Sequence, residues 1–130
     1  MKELRCIVFS ERELVSAIID RKRKRGEPLP PGTVQAVRFS VEDTVTTVLE
    51  VVNDHGRTEE FTLPESEVAA ALISYCMGRR VPLPAESEKV LYVIKGAATL
   101  MITMNFNKEV RLVRAPPVEP RRRRLVRTPG

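Results

Sequence analysis

Apolar positions along this chain follow two spacings, and the pair of spacings occurs twice. The stretch "LRCIVFS", at Leu4 to Ser10, is an almost unbroken apolar run, the pattern of a strand buried for most of its surface rather than one with a wet face. From Ser10 the spacing becomes helical. Leu14, Val15, Ile18 and Ile19 recur on one face, as an amphipathic helix requires. Ser10 and Glu13 form a capping-box pair, so the helix is predicted to start at Glu11, and Gly26 is placed to end it in a left-handed conformation. Two strands follow. "VQAVRFSV" sets Val37, Phe39 and Val41 against Arg38 and Ser40, and "TVTTVLEVV" returns across a turn at Glu42 to Thr44. Asn53-Asp54-His55-Gly56 then has the composition of a tight hairpin turn, whose residues must tolerate positive φ.

The second half repeats the order. "EEFTL" reads as a strand, Pro64 suits the first helical turn, where its missing N–H costs nothing, and Val68, Ala69, Leu72, Ile73, Cys76 and Met77 form the apolar stripe. Gly78 is the expected stop. "KVLYVIK" and "TLMITMNF" are strands around Gly96-Ala97-Ala98, and "NFNKE" reads as a turn into "VRLVR". A seventh strand is therefore predicted near Val110 to Arg114.

Sliding the chain by 54 residues lays "ERELVSAIIDRKRKRGEPLP" over "ESEVAAALISYCMGRRVPLP" without a gap and with eight identities, including Glu11/Glu65, Glu13/Glu67, Arg25/Arg79 and the triplets Pro28-Leu29-Pro30 and Pro82-Leu83-Pro84. Beyond Pro30 only apolar character persists, at Ala36/Val90, Val37/Leu91, Phe39/Val93 and Val48/Ile102. The expectation is an α+β fold. It is built from a duplicated β-α-β-β unit, with a largely antiparallel sheet of about six or seven strands and two helices packed on it. One domain should span residues 1–114, with repeat 1 at about 3–56 and repeat 2 at about 57–114. Each Pro-Leu-Pro triplet reads as a connector, because two prolines cannot continue a helix while the leucine between them can drop onto the core.

Composition adds bounds rather than identity. At 130 residues, 42% hydrophobic and 30% charged, the chain has the size of one domain with a real core. No run approaches the roughly 18 apolar residues that a bilayer span needs, and "MKELRCIVFSERELV" lacks the pattern of an export leader. Cys6 and Cys76 lie inside apolar runs, which suits buried free thiols in a reducing, cytoplasmic compartment.

Charge is more informative once divided. Residues 1–107 carry 14 Lys and Arg against 15 Asp and Glu, whereas residues 108–130 carry 8 against 2. The net charge of +5 belongs to the tail. From Ala115 onward "APPVEPRRRRLVRTPG" has no periodic apolar pattern and reads as an extended basic arm, residues 115–130.

Catalytic chemistry is thinly represented. The one histidine, His55, sits in a turn. No metal-ligand spacing, phosphate-binding glycine loop or nucleophile elbow occurs, so neither a cofactor nor a metal is expected. Glu11, Glu13, Glu65 and Glu67 occupy first helical turns, where the helix dipole favours negative charge, and Glu59 and Glu60 point to opposite faces of a strand. The candidate site residues are cations: Arg21, Lys22, Arg23, Lys24 and Arg25 at the end of the first helix, Arg79 and Arg80 at the end of the second, and Arg121, Arg122, Arg123, Arg124 and Arg127 in the arm. Helices lying side by side would let Arg25 and Arg79 share an anion. Lys22 and Arg23 are replaced in the second half by Cys76 and Met77, which predicts that one helix end is exposed and the other buried.

These features point to a non-enzymatic binding or assembly module whose arm or helix-end patch engages a polyanion. Nucleic acid without base specificity is the expected partner, since no aromatic residue falls in the arm to stack on bases, and an acidic protein surface is the other candidate. The alternative is a homo-oligomeric scaffold whose arm wraps a neighbouring subunit, with unpaired sheet edges inviting another copy. A small enzyme with a cleft that sequence order conceals is a third reading.

Overall fold

The computed structural model describes residues 1–105. The chain runs β1 (Lys2–Val8), α1 (Glu11–Lys24), β2 (Gly32–Val41), β3 (Val45–Asn53), β4 (Thr58–Leu63), α2 (Glu65–Gly78), β5 (Glu88–Ile94) and β6 (Ala97–Asn105). The fold is α+β, as the spacing predicts. Its strands do not form one sheet, however. They divide into two antiparallel sheets of three strands, ordered β1-β6-β5 and β2-β3-β4. The expected strand near Val110 to Arg114 and the arm at 115–130 lie outside the described residues.

The pairing has a two-fold logic. β1, the first strand of one half, pairs with β6, the last strand of the other; β4 pairs with β3 in the same relation. Each sheet therefore takes two strands from one half and one from the other, so neither half can complete a sheet alone. The 54-residue offset holds through β2 and β5, where Val37 stands in the place of Leu91 and Phe39 in that of Val93. It drops to 51 in the last strands, where Leu49 answers Leu100 and Val51 answers Ile102. The reason is the hairpin: between the equivalent pairs Phe39/Thr47 and Val93/Ala98 lie seven residues in the first half and four in the second, because the β2-β3 hairpin has one more rung and a three-residue turn, Glu42 to Thr44, where Lys95 and Gly96, both at positive φ, make a two-residue one. Ile102 thus corresponds to Val51, and the expected pairing with Val48 is corrected.

Helix boundaries follow local chemistry closely. Ser10 caps α1, its Oγ accepting from the Glu13 amide while the Glu13 carboxylate accepts from the Ser10 amide. At the other end the Gly26 amide bonds the Arg23 carbonyl and the Glu27 amide the Lys22 carbonyl, with Gly26 at φ 74°, a Schellman stop. The same two bonds end α2, from Arg80 to Met77 and from Val81 to Cys76. There the left-handed position is Arg80, φ 60°, and Gly78, the expected stop, is the last helical residue. The 54-residue offset places Arg80 opposite Gly26, so the repeat marks the stop where residue preference does not. A side chain in this conformation costs roughly 1–2 kcal/mol. Arg80→Gly is expected to raise stability by about 1 kcal/mol, measurable as a higher denaturant midpoint at unchanged slope. Pro64, expected inside the first turn of α2, sits one place earlier as its N-cap.

The helices pack on each other and against both sheets, α1 meeting β6 and α2 meeting β3 and β5. One continuous core results. Leu14, Ile18, Leu49, Leu63, Val68, Leu72, Leu100 and Ile102 are each at most 1% exposed, and Leu29 and Leu83 pack against this cluster from between their prolines, the role expected for both connectors.

Candidate polyanion interface

The helix pair determines where the cations stand. Lys22, near the end of α1, reaches Glu67 in the first turn of α2 at 2.8 Å. Phe9, just before α1, meets Tyr75, near the end of α2, edge to face at 6.4 Å between ring centroids. The helices therefore run antiparallel, and each 14-residue helix is about 21 Å long. Arg25 and Arg79 lie at opposite ends of the pair. The shared anion site imagined for them is not formed.

Two separate cationic groups result. At the end of α1, Lys22 is tied to Glu67 with both side chains 20% exposed, and Arg23 lies 3.4 Å from Asp20. Arg21 has a buried Nε with no hydrogen-bond partner among the described residues, and Lys24 and Arg25 are exposed. This end sits beside the acidic first turn of α2, whose Glu65 carboxylate also accepts from the Val45 amide at 2.7 Å. At the end of α2, the Arg79 guanidinium lies 3.7 Å over the Tyr75 ring, a cation–π contact that holds it to the surface. Arg80 is exposed beside it. Arg5 of β1 joins this end by donating to the Pro82 carbonyl; sequence reasoning missed it, because an arginine within a strand run carries no sign of what lies across the fold. Arg121, Arg122, Arg123, Arg124 and Arg127 lie outside the described residues.

The expected contrast between the helix ends holds at one position and fails at the next. Cys76 is buried where Lys22 is paired, and its thiol is pushed up by that burial, with Arg5 lowering and Glu13 raising it to lesser degrees. Met77, by contrast, is 67% exposed. Cys6, expected to be buried, is exposed as well, because β1 is covered on one face only.

Exposure divides the two sheets. On the outer face of β2-β3-β4, Arg38 reaches Glu60 at 3.0 Å and Glu50 at 3.9 Å, and Gln35 donates to Glu50. The same face of β1-β6-β5 carries Leu4, Cys6 and Val8 beside Met101, Val90, Tyr92 and Ile94. Sequence contained a signal for this in the run from Leu4 to Phe9, apolar but for Arg5. The aromatic rings Phe9, Phe39 and Phe61 belong to the core or pack against it, so they are not placed to stack on bases. Among the described residues no group of three His, Cys, Asp or Glu could hold a metal ion, and no helix is long and apolar enough to cross a membrane.

The functional chemistry of the described residues is thus cationic and apolar, with the first-turn carboxylates Glu13, Glu65 and Glu67 engaged in a cap, a backbone bond and an ion pair. Comparison with protein-family models, with curated proteins and with solved structures gives no match for this chain.

Proposed function

We propose that the protein is a non-enzymatic binding module whose basic C-terminal segment engages a polyanion, nucleic acid read without base specificity, while the preceding residues form a neutral carrier. The observation that carries this reading is the segregation of charge: residues 108–130 hold 8 cations against 2 acids, and residues 1–107 hold 14 against 15. Its support within the fold is that several body cations are answered locally, Lys22 by Glu67, Arg38 by Glu50 and Glu60, and Arg79 by Tyr75. Counterion release from phosphates then falls chiefly to the segment, with Lys24, Arg25 and Arg80 as auxiliary contacts. The compartment in this reading is cytoplasmic, in keeping with two free thiols.

A gel-shift titration of the full chain with two duplexes of unrelated sequence tests it. Equal shifts at low salt and micromolar protein are expected. No shift of either duplex removes the reading, and a strong preference for one removes the absence of base specificity.

A second reading has its own observation. The open apolar face of the β1-β6-β5 sheet favours a homo-oligomeric scaffold, in which the C-terminal arm wraps a neighbouring subunit.

A further inference from the structure

An antiparallel sheet with one face open to water normally alternates apolar residues inward with polar residues outward. In β1, Ile7 packs against the core on one side, yet Leu4 and Val8 on the other are 63% and 62% exposed. In β5, Val93 packs inward, while Val90, Tyr92 and Ile94 are 38%, 46% and 41% exposed. The register joins these into one patch. Cys6, Met101 and Val90 form one row across the sheet, and Val8, Thr99 and Tyr92 the next. The open side chains leave an apolar patch on the order of the roughly 300–600 Å² that a typical monomer's largest, often functional, patch reaches. The equivalent face of β2-β3-β4 is laced with the Arg38, Glu50, Glu60 and Gln35 contacts instead. Two faces related by the fold's own two-fold logic thus differ in kind, and only one is finished as a surface for water.

We propose that this face is covered by a second copy of the chain, packed sheet on sheet about a two-fold axis running along β6. Such an axis lays β1 of one copy over β5 of the other at the ~10 Å spacing of stacked sheets. The rows then meet in register: Val8 over Tyr92, Cys6 over Val90, and Met101 against itself. Charge is compatible with the same operation. Among the described residues Lys2, in the Asn105 row, and Glu88, in the Thr103 row, are the charged residues of the face, so the axis lays Leu4 over the other copy's Glu88 and sets each Lys2 diagonal to that glutamate at the rim, twice. No like charges meet. A polyanion finds no use for a neutral apolar face, and residues 106–130, with 8 cations, are poorly matched to one whose only acid is Glu88. Because the patch falls short of the ~800 Å² per partner of a standard interface, the dimer is a weak, concentration-dependent one.

The contact stands apart from the polyanion reading, and the experiment separates their failures. Sedimentation of the full chain, without nucleic acid and in high salt where phosphate binding is suppressed, is expected to show a mass rising with concentration from 14.7 kDa toward twice that value. The Val8→Asp, Tyr92→Asp double variant, changed only at exposed positions, should weaken association at least tenfold with an unaltered circular dichroism spectrum. The wild-type chain supplies a readout that needs no variant: Cys6 should react with a thiol reagent quickly when dilute and more slowly as the mass rises, with buried Cys76 as the unreactive reference. A monomeric mass up to millimolar concentration overturns the proposal. So does association that the double variant leaves intact, or shielding of Cys6 that is equally strong at every dilution, which would show the face covered by the chain's own remaining residues.

Discussion

Leu72→Ala is expected to lower the stability of the folded chain by about 2–5 kcal/mol, the range for emptying a leucine site in a core that cannot collapse around the gap. Leu72 is 0% exposed. It lies on α2, the helix that packs on α1 and reaches both β3 and β5, so the cavity opens in the core cluster that these elements share. None of these elements can close it without giving up contacts elsewhere. For a domain of this size the change corresponds to a fall in Tm of about 7–18 °C, read by thermal unfolding followed at a far-UV signal. A loss below about 1 kcal/mol would mean that the helix pair rearranges freely, contrary to the packing described.

Phe9→Ala should cost a comparable amount, about 3–5 kcal/mol, for a different reason. Phe9 is 4% exposed and follows β1 directly, its amide bonded to the Ala98 carbonyl of β6. Its ring meets Tyr75 of α2 at an interplanar angle of 72°, and Tyr75 in turn carries the Arg79 guanidinium. One side chain thus ties a strand of the first half to a helix of the second. Phe9→Leu separates volume from aromatic geometry: it keeps most of the apolar bulk and forfeits the edge-to-face term, worth about 0.5–1.5 kcal/mol. Denaturant unfolding of Phe9→Leu, of Tyr75→Leu and of the double variant measures that coupling. A coupling near zero would show the ring contact to be incidental.

How far the fold was legible depended on whether its signals were local. The capping box at Ser10 and Glu13, the turn at Asn53 to Gly56 and the apolar stripes of both helices, Met77 apart, are decided within a few residues, and each of these is found. The stop of α2 was legible in one signal and obscured by another: glycine preference pointed to Gly78, while the 54-residue offset from Gly26 pointed to Arg80, where the Schellman bonds form. The division into two sheets had no local signal. Whether β6 pairs with β1 or only with its hairpin partner β5 is a choice between strands far apart in sequence, and nothing in "TLMITMNF" states it. With both edges of β6 taken by β1 and β5, that strand is central in its sheet.

The candidate site divides in the same way. Cation placement at helix ends follows from the sequence, since positive charge is favoured there. Their grouping does not, because it depends on the antiparallel setting of the helices. That setting separates Arg25 from Arg79 and brings Glu67 to Lys22 and Arg5 to the end of α2. The apolar outer face was present in the sequence as the run from Leu4 to Phe9, apolar but for Arg5, but a run of that kind implies cover without saying what supplies it.

The central claim is that phosphate binding resides in the basic C-terminal segment and not in the folded body. It is tested most directly by the salt dependence of duplex affinity for the full chain beside its Arg121→Ala, Arg122→Ala, Arg123→Ala, Arg124→Ala variant. Each neutralised phosphate adds about 0.9 to the slope of log affinity against log salt. The wild-type chain should therefore exceed the variant's slope by about 3–4 and lose on the order of 100-fold or more in affinity between 50 and 200 mM salt. Equal slopes for the two proteins would contradict the account and return the binding to the body.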